Sequence, residues 1–296
     1  MYPAPEGTVL VERLGAGSVF DVALVRDGEG KRERVLVCKR LRARARLEPA
    51  GRAALVREAK ALSLARHPAL PALVRVGSDG HGPFVLETRR EGASLRAVLE
   101  GWEARGQRPP RALVDHVIRA AIEALAELHA LRGADGGGPL GLTHGDITPD
   151  HVLLGPIGDI GVVDLGAARF RGMDPGLETD DRGTLPFAAP ELARGDARPT
   201  PRADVYALAA TLGWFATGQP LTRAREEAAA LAEIGERGLS LDALRAEEGL
   251  AEDARGALLR ALARDPEARP ADGAALLAEL GDGRDGRDGR DGRGGR

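Results

Sequence analysis

Short apolar runs separated by turn residues occupy the first forty positions of the chain. The runs are Val9 to Val11, Asp21 to Arg26 and Val35 to Lys39, and the breaks between them contain glycine. Apolar and β-branched runs between turns are typical of β-strands. We predict three antiparallel strands here, joined by tight turns. We predict two more around a Ser-Asp-Gly turn, at Leu73 to Val76 and Pro83 to Leu86.

Apolar positions spaced three and four residues apart follow the third predicted strand. Leu55, Ala59 and Leu62 share one face and predict a helix, and residues 113–128 carry the same spacing over a longer helix. Helical patterning resumes near residue 202 and continues, with interruptions, to residue 280. The pattern therefore predicts an α+β fold with a small β-rich half and a larger helical half.

The last part of the chain has a different character. From Gly281 onward, Asp-Gly-Arg units repeat without any apolar residue. Such a segment cannot bury enough apolar surface to offset the entropy of ordering. We predict that residues 281–296 form a disordered tail and that residues 1–280 form the folded domain.

Composition adds limits on partners and compartment. The net charge of the 296 residues is −3, so bulk electrostatics predict no nucleic-acid or membrane partner. The single cysteine, Cys38, excludes an internal disulfide and fits a reducing compartment. Residues 1–10 lack a basic start and an apolar core, and the apolar run near residues 205–216 is too short to cross a bilayer. These features predict a cytoplasmic protein.

The candidate chemistry is concentrated in the middle of the chain. Asp146 follows Thr143-His144-Gly145, and Asp164 follows a short apolar run and precedes Leu-Gly. A short hairpin between the two would aim both carboxylates at one point. Taken alone, the stretch is equally compatible with Asp146 capping a turn and Asp164 ending a strand, since aspartate is common at both places.

The two motifs resemble the catalytic loop and the metal-binding turn of protein kinases, whose patterns are H-R-D-L-x-x-x-N and D-F-G. Upstream, Gly15-x-Gly17 resembles the glycine-rich loop over the ATP phosphates, Lys39 the strand lysine that binds those phosphates, and Glu58 its helix partner. On their own these residues could be an ordinary turn and solvated charges. Their order along the chain makes the resemblance specific.

Further segments extend the resemblance to most of the chain. Residues 83–92 are similar to the last small-lobe strand and the hinge that receives adenine, which implies nucleotide contacts from Glu87 and Arg89. The base would then be enclosed by Val22, Val37 and Leu153. Later, Gly183 to Glu191 is similar to the A-P-E segment of the family. Arg202 to Leu208 is similar to the helix whose aspartate holds the catalytic loop. Asp265 to Pro270 is similar to the motif whose arginine pairs with the A-P-E glutamate.

Four positions depart from the family pattern. Gly145 replaces the arginine of H-R-D, which predicts activity independent of a phosphate on a residue such as Thr179. Thr148 stands at the place of a catalytic-loop lysine, and Phe20 at the third glycine of the glycine-rich loop. His151 replaces the asparagine that binds the second Mg²⁺, and imidazole suits Mn²⁺ or Zn²⁺ better than Mg²⁺.

The resemblance implies a two-lobed protein kinase fold, with a small lobe of about residues 1–87 and a large lobe of about residues 88–280. It implies an ATP-dependent Ser/Thr protein kinase that uses Mg²⁺ or Mn²⁺ and a protein substrate. Asp146 would orient the substrate hydroxyl, with Thr184 beside it, and Asp164 and His151 would hold metal. The departures leave a pseudokinase as the alternative, and the H-G-D spelling leaves a small-molecule phosphotransferase as a third reading.

Overall fold

The computed structural model describes residues 2–17, 19–28, 30, 33–133, 138–178, 184, 186–224 and 226–281, with the side chains at 227 and 228 left out. The predicted tail from residue 282 onward lies outside the described residues. Gly183 and Leu185, which belong to the segment compared with the kinase A-P-E region, also lie outside them, as does Thr179, the residue named above as a possible phosphorylation site.

The small lobe is built on one antiparallel sheet. In the part of the chain that the structure describes, this sheet has five strands in the order β1-β2-β3-β5-β4. Residues Val22 and Val85 both pair with Lys39, which places β3 at the centre of the sheet. The strand bounds are Thr8–Ala16 (β1), Phe20–Asp27 (β2), Arg34–Leu41 (β3), Leu73–Asp79 (β4) and Gly82–Thr88 (β5).

Strand alternation divides β3 between two faces of this sheet. Leu36 and Cys38 pack with Phe84 on one face, whereas Leu41 packs with Val85 on the other. Helix α1 (Pro49–Leu64) covers the second face, with its first turn begun by a proline whose missing N–H costs nothing there. Since Lys39 and Leu41 are two residues apart, the side chain of Lys39 also faces α1.

The large lobe is helical, and its core surrounds helix α5 (Pro201–Thr217). This helix is buried along most of its length, and Tyr206, Leu212 and Phe215 are almost completely enclosed. An aspartate, a threonine or a serine caps several of the helices at their first turn. The helices after α1 are Leu95–Glu103 (α2), Arg111–His129 (α3), Pro190–Ala193 (α4), Pro201–Thr217 (α5), Glu227–Arg237 (α6), Asp242–Arg245 (α7), Glu252–Ala261 (α8) and Gly273–Ala278 (α9).

A second, smaller sheet positions the two aspartates. Within the described residues it consists of Ala93–Ser94 (β6), Val152–Leu154 (β7) and Ile160–Val162 (β8). Strands β7 and β8 are antiparallel neighbours, with Val152 opposite Val162. The loop before β7 and the turn after β8 therefore lie at the same end of the hairpin, and these carry Asp146 and Asp164.

The sequence prediction of an α+β, two-lobed fold is confirmed. Each strand predicted in the small lobe is present, and β5 continues two residues beyond the predicted end. None of the helices in the described part of the chain combines the length and the apolar character that a bilayer crossing requires.

Candidate active site

A buried lysine with three carboxylates around it forms one wall of the cleft between the lobes. Lys39 is 4% exposed, and its Nζ bonds Glu58 Oε1. The same nitrogen lies 3.6 Å from Glu87 Oε1 and 3.7 Å from Asp164 Oδ1. The lysine and the glutamate that the resemblance pairs are thus brought together, and Asp164 reaches the same nitrogen from the large lobe.

The electrostatics of this cluster follow from burial and from charge. Burial opposes the charge on Lys39, but the carboxylates of Asp164, Glu58 and Glu87 outweigh it and raise the pKa of the lysine. Burial likewise raises the pKa of Glu58, to about 8, and that of Glu87. The ammonium group of Lys39 thus lies beside three carboxylates, and the buried glutamates hold protons more tightly than exposed glutamates do.

Glu87, which the resemblance assigned to nucleotide contacts, lies within strand β5. It is a β5 residue opposite Val37, it is 2% exposed, and its carboxylate rests against Lys39. Its second oxygen, Oε2, has no partner among the described residues. The sequence contained a signal for this position: Val85 and Glu87 are two residues apart, so both point to the face of the sheet that α1 covers.

The loop carrying Asp146 is held from below by a helix. Asp204 of α5 accepts hydrogen bonds from the backbone N–H groups of His144 (2.7 Å) and Gly145 (2.9 Å). The ring of His144 is buried, which lowers its pKa, and its Nε2 donates to the carbonyl of Val163 at 3.0 Å. His144 is therefore a neutral structural residue that ties the loop to the strand leading to Asp164.

Asp146 is half-buried, and its carboxylate contacts Thr184, which lies beyond the turn at Asp164 in the chain. The backbone N–H of Thr184 donates to Asp146 Oδ1 at 2.7 Å. The other oxygen, Oδ2, lies 3.6 Å from Nδ1 of His151. The structure thus brings Thr184 to Asp146, as the resemblance implied, although through the backbone N–H.

Asp164 is held in an unusual backbone conformation. Its φ is 70°, and among the described residues it is the only non-glycine residue with a positive φ. Its side chain is 34% exposed at the cleft. Burial opposes its ionisation, but the charge of Lys39 and the proximity of His151 outweigh this and lower its pKa to about 2. Asp164 is therefore an ionised carboxylate aimed into the cleft by a left-handed turn.

His151 lies between the two aspartates. Its Nδ1 is 2.7 Å from the backbone carbonyl of Asp146, and its Nε2 is 3.7 Å from Asp164 Oδ2. In the part of the chain that the structure describes, no three His, Cys, Asp or Glu side chains converge as a metal site. Asp164 and His151 could therefore supply at most two ligands of a divalent ion.

The glycine-rich turn lies at the end of β1. Gly15 belongs to the strand, and Gly17 donates its N–H to the carbonyl of Phe20 at 2.8 Å. A Cβ added at Gly15 would meet no atom within 4 Å, so open space adjoins the turn. Phe20 is buried in the small-lobe core with Leu41, and its ring therefore belongs to packing rather than to the tip of the loop.

The residues compared with a base pocket lie at the edges of the cleft. Val22 and Val37 are half-buried on the sheet face that carries Lys39, and Leu153 is half-buried in β7. Arg89 follows the end of β5 and is exposed. The small-lobe and large-lobe members are thus on the strands that border the cleft.

Comparison with known proteins decides the family. The family model described as protein kinase domain matches residues 8–278. The chain belongs to this family. It is 29% identical over 279 residues to serine/threonine-protein kinase PknB of Mycobacterium tuberculosis, a match that covers 92% of this chain and 42% of the relative. The kinase PknB of Mycobacterium leprae is 28% identical over 273 residues, and PknL of Mycobacterium tuberculosis 32% over 162 residues.

This kinase domain spans about two-fifths of the length of the curated PknB relatives that it matches, 42% and 41%. The alignments cover 92% and 90% of this chain and thus include both lobes and the cleft between them. The PknL alignment is shorter and covers 54% of this chain and 37% of the relative. Membership in the family implies use of ATP and a divalent metal in general terms.

Two departures of this kinase domain have clear local causes. Gly145 has a φ of 79°, and a Cβ there would approach the carbonyl oxygen of Ala167 at 2.5 Å. Thr148 is buried, and its Oγ1 accepts from the N–H of Asp150 at 3.3 Å. Thr148 therefore stabilises the turn and does not extend toward the cleft.

The large lobe of the kinase domain also contains a buried ion pair. Arg269 donates to both oxygens of Glu191 at 2.8 Å, and its guanidinium lies over the ring of Tyr206, 4.7 Å from the centroid. Further bonds from Arg269 to the carbonyls of Ala263, Arg264 and Arg202 satisfy its three remaining donors. The two segments that the resemblance paired, around residues 191 and 269, are thus joined at helix α4.

Proposed function

We propose that this chain is an ATP-dependent protein kinase domain that phosphorylates serine or threonine hydroxyls of a protein. The observation that carries the proposal is the convergence of Lys39, Asp146 and Asp164 on one cleft, with Glu58 bonded to the lysine. Phosphoryl transfer depends on positioning and on charge stabilisation, so separated charges that converge are what the reaction requires.

Each side chain has a proposed role that its environment supports. Lys39 binds phosphate oxygens, because its raised pKa keeps it charged and Glu58 fixes its position. Asp146 accepts a hydrogen bond from the substrate hydroxyl and orients its oxygen toward the terminal phosphate, while Thr184 restrains the carboxylate from the substrate side. The nucleotide would be bound by these residues together with the glycine-rich turn, the hinge and the base-pocket residues: Gly15, Gly17, Glu87, Arg89, Val22, Val37 and Leu153.

A divalent metal fits at Asp164 and His151, and it would neutralise charge on the phosphates when bound. Asp164 contributes an ionised oxygen, which Mg²⁺ and Mn²⁺ both accept. His151 contributes a nitrogen, which favours Mn²⁺. We propose Mg²⁺ or Mn²⁺ as the metal, with Mn²⁺ preferred.

The proposal that the phosphate is transferred to serine or threonine hydroxyls rests on the names of the relatives. Both PknB relatives are named serine/threonine-protein kinases, and their alignments cover 92% and 90% of this chain. We assign residues 1–280 to the kinase domain, with the lobes meeting near residues 87 and 88. The single buried cysteine, Cys38, is compatible with a cytoplasmic location for the domain.

The test is transfer of phosphate from labelled ATP to a generic protein such as casein, with Mg²⁺ and Mn²⁺ compared. Asp146→Asn and Asp164→Asn should each reduce transfer by at least about 100-fold. Asp150→Asn is the matched control, because Asp150 belongs to the same loop but pairs with Arg96 at the surface. Activity of both variants equal to that of the wild type would overturn the assignment.

A pseudokinase is the second candidate, because two positions of the catalytic loop depart from the family pattern. Thr148 is buried where a lysine would reach the phosphates, and His151 is bonded to the backbone of Asp146. Stabilisation of the protein against heat by ATP and metal, without any transfer from ATP, would support this reading. Transfer that depends on Asp146 would exclude it.

A further inference from the structure

The segment of residues 165–178, which follows Asp164, is anchored at one glutamate. Arg169 Nη2 donates to Glu178 Oε1 at 2.7 Å, and Arg198 Nη1 pairs with the second oxygen, Oε2. The two arginines belong to different parts of the chain: one follows the metal-binding turn and the other precedes helix α5. A single carboxylate therefore fixes a surface segment to two separate supports.

Arg169 connects this glutamate to the catalytic loop. Its backbone pairs with Thr143 in both directions, at 2.9 Å from Thr143 N to Arg169 O and at 3.0 Å from Arg169 N to Thr143 O. Thr143 directly precedes His144 and Gly145, which Asp204 holds. The position of Glu178 is therefore set by the same backbone that places Asp146.

Arg57 of the small lobe is a second anchor for the segment that follows Asp164. Arg57, the neighbour of Glu58 in helix α1, is buried and donates from Nε to the carbonyl of Gly166 at 2.7 Å. Its Nη1 donates to the carbonyl of Leu177 at 3.0 Å. The 3-10 turn Pro175–Leu177, which precedes Glu178, is thus bonded to the helix that positions Lys39 through Glu58.

The catalytic loop itself offers no cation for this purpose. Gly145 has no side chain, and a Cβ there would collide with the backbone at Ala167. A phosphate on the segment would therefore find no guanidinium from this position of the loop. Glu178 already places a carboxylate between two arginines, which is the arrangement that a phosphate would otherwise create.

We propose that Glu178 is a positioning residue that holds residues 165–178 in place beside the catalytic loop without phosphorylation. The carboxylate orders the segment through Arg169, and Arg57 couples that order to α1. This proposal rests on the proposed kinase activity for its effect on rate, but the anchoring itself is a property of the folded chain.

The exposed fractions of the two arginine side chains indicate how strongly each one holds Glu178. The side chains of Glu178 and Arg169 are 25% and 20% exposed, whereas that of Arg198 is 68% exposed. Pairs between exposed charges are weakened by water and by salt and often contribute little. The bond between Arg169 and Glu178 should therefore carry most of the effect, and Arg198 should be a weaker support.

The test compares Glu178→Gln, Arg169→Gln, Arg198→Gln and the double variant Glu178→Gln/Arg169→Gln, all in phosphatase-treated protein. Asp196→Asn is the control, because Asp196 belongs to an exposed pair with Arg194 in the same part of the lobe. Two quantities are measured: kcat/KM for a peptide substrate together with KM for ATP, and hydrogen exchange of the backbone over residues 165–178.

We expect Glu178→Gln and Arg169→Gln each to lower kcat/KM for the peptide about tenfold, with KM for ATP changed by less than about twofold. The double variant should lose no more than either single variant, because both remove the same interaction. Arg198→Gln and Asp196→Asn should lose less than about threefold. Exchange over residues 165–178 should accelerate in Glu178→Gln, in Arg169→Gln and in the double variant, but not in Arg198→Gln or Asp196→Asn.

Two results would overturn the proposal: unchanged exchange in Glu178→Gln, or phosphatase-treated wild type that is inactive until the segment is phosphorylated again. If the wild type transfers no phosphate under any condition, the proposed function fails. The exchange experiment still decides whether Glu178 anchors the segment in that case. Thermal melting of each variant separates loss of the anchor from loss of the fold.

Discussion

The imidazole of His151 is bonded to the backbone of Asp146, with Nδ1 2.7 Å from the carbonyl oxygen. A carbonyl only accepts, so Nδ1 must carry the proton. In a neutral ring this leaves the lone pair on Nε2, the atom that lies 3.7 Å from Asp164 Oδ2. The bond to Asp146 therefore selects the tautomer in which His151 can ligate a metal beside Asp164.

From this arrangement we predict a metal preference set by residue 151. The wild type should transfer phosphate faster with Mn²⁺ than with Mg²⁺, since a nitrogen ligand suits Mn²⁺ better. His151→Asn, which offers an amide oxygen, should reverse the ratio of the two rates. The measurement is initial rate against metal concentration for each ion at saturating ATP.

His151→Ala separates the possible outcomes. A variant with unchanged rates and an unchanged metal ratio would show that His151 is not a ligand and that Asp164 alone holds the ion. An inactive wild type together with an active His151→Asn variant would establish the pseudokinase reading.

We predict that Glu87 makes stability depend on pH. Burial raises its pKa above the ordinary 4.5, so the folded protein keeps a proton that the unfolded chain releases. Stability should therefore fall as pH rises above 4.5, until Glu87 ionises in the fold. The glutamine in Glu87→Gln cannot ionise. The melting temperature of this variant should therefore be close to that of the wild type at pH 5 and higher than that of the wild type at pH 8.

The control for this experiment is Glu91→Gln, because Glu91 is exposed just beyond the same strand. Its melting temperature should follow that of the wild type at every pH. Melting curves of Glu87→Gln and wild type that stay parallel from pH 5 to pH 8 would contradict the prediction.

We predict that residue 145 must be a glycine because of its backbone conformation and its close approach to Ala167. Its φ of 79° disfavours other residues, and a Cβ would approach Ala167 O at 2.5 Å. Gly145→Ala should reduce the free energy of unfolding by about 2 to 3 kcal/mol. Gly172→Ala is the matched control: its φ is 76°, but the space around it is open, so only about 1 kcal/mol should be lost.

Chemical denaturation of the two variants measures this difference. Equal losses at both positions would show that the left-handed conformation, and not the contact with Ala167, restricts residue 145.

We predict that the buried pair between Glu191 and Arg269 stabilises the large lobe more than the exposed pairs near it. Glu191→Gln leaves a buried guanidinium without its counter-charge and should cost about 3 kcal/mol. Glu267→Gln breaks the exposed pair with Arg202, 3.0 Å long, and should cost less than about 0.5 kcal/mol. Urea denaturation at low and moderate salt measures both, and similar small losses would show that Tyr206 and the carbonyl bonds alone hold Arg269.

The sequence alone determined the class of fold and the order of its parts. Strand residues such as Val37 and helix residues such as Leu55 and Leu62 follow periods of two and of three to four, which depend only on local backbone geometry. The sequence also predicted that Lys39 pairs with Glu58, because a strand lysine followed by a helix glutamate matches a known family pattern. These predictions use the order and spacing of residues, and the sequence contains both.

Only the tertiary structure decided how charges from distant segments combine. The contact between Glu87 and Lys39 depends on which strands are neighbours in the sheet, and β5 pairs with β3 although α1 and β4 lie between them in the chain. The bonds from Glu178 to Arg169 and Arg198 depend on the path of a segment that has no regular period. Coulombic and hydrogen-bonding partners are set by distance in space, and for residues far apart in sequence that distance is determined by the packing of the whole chain.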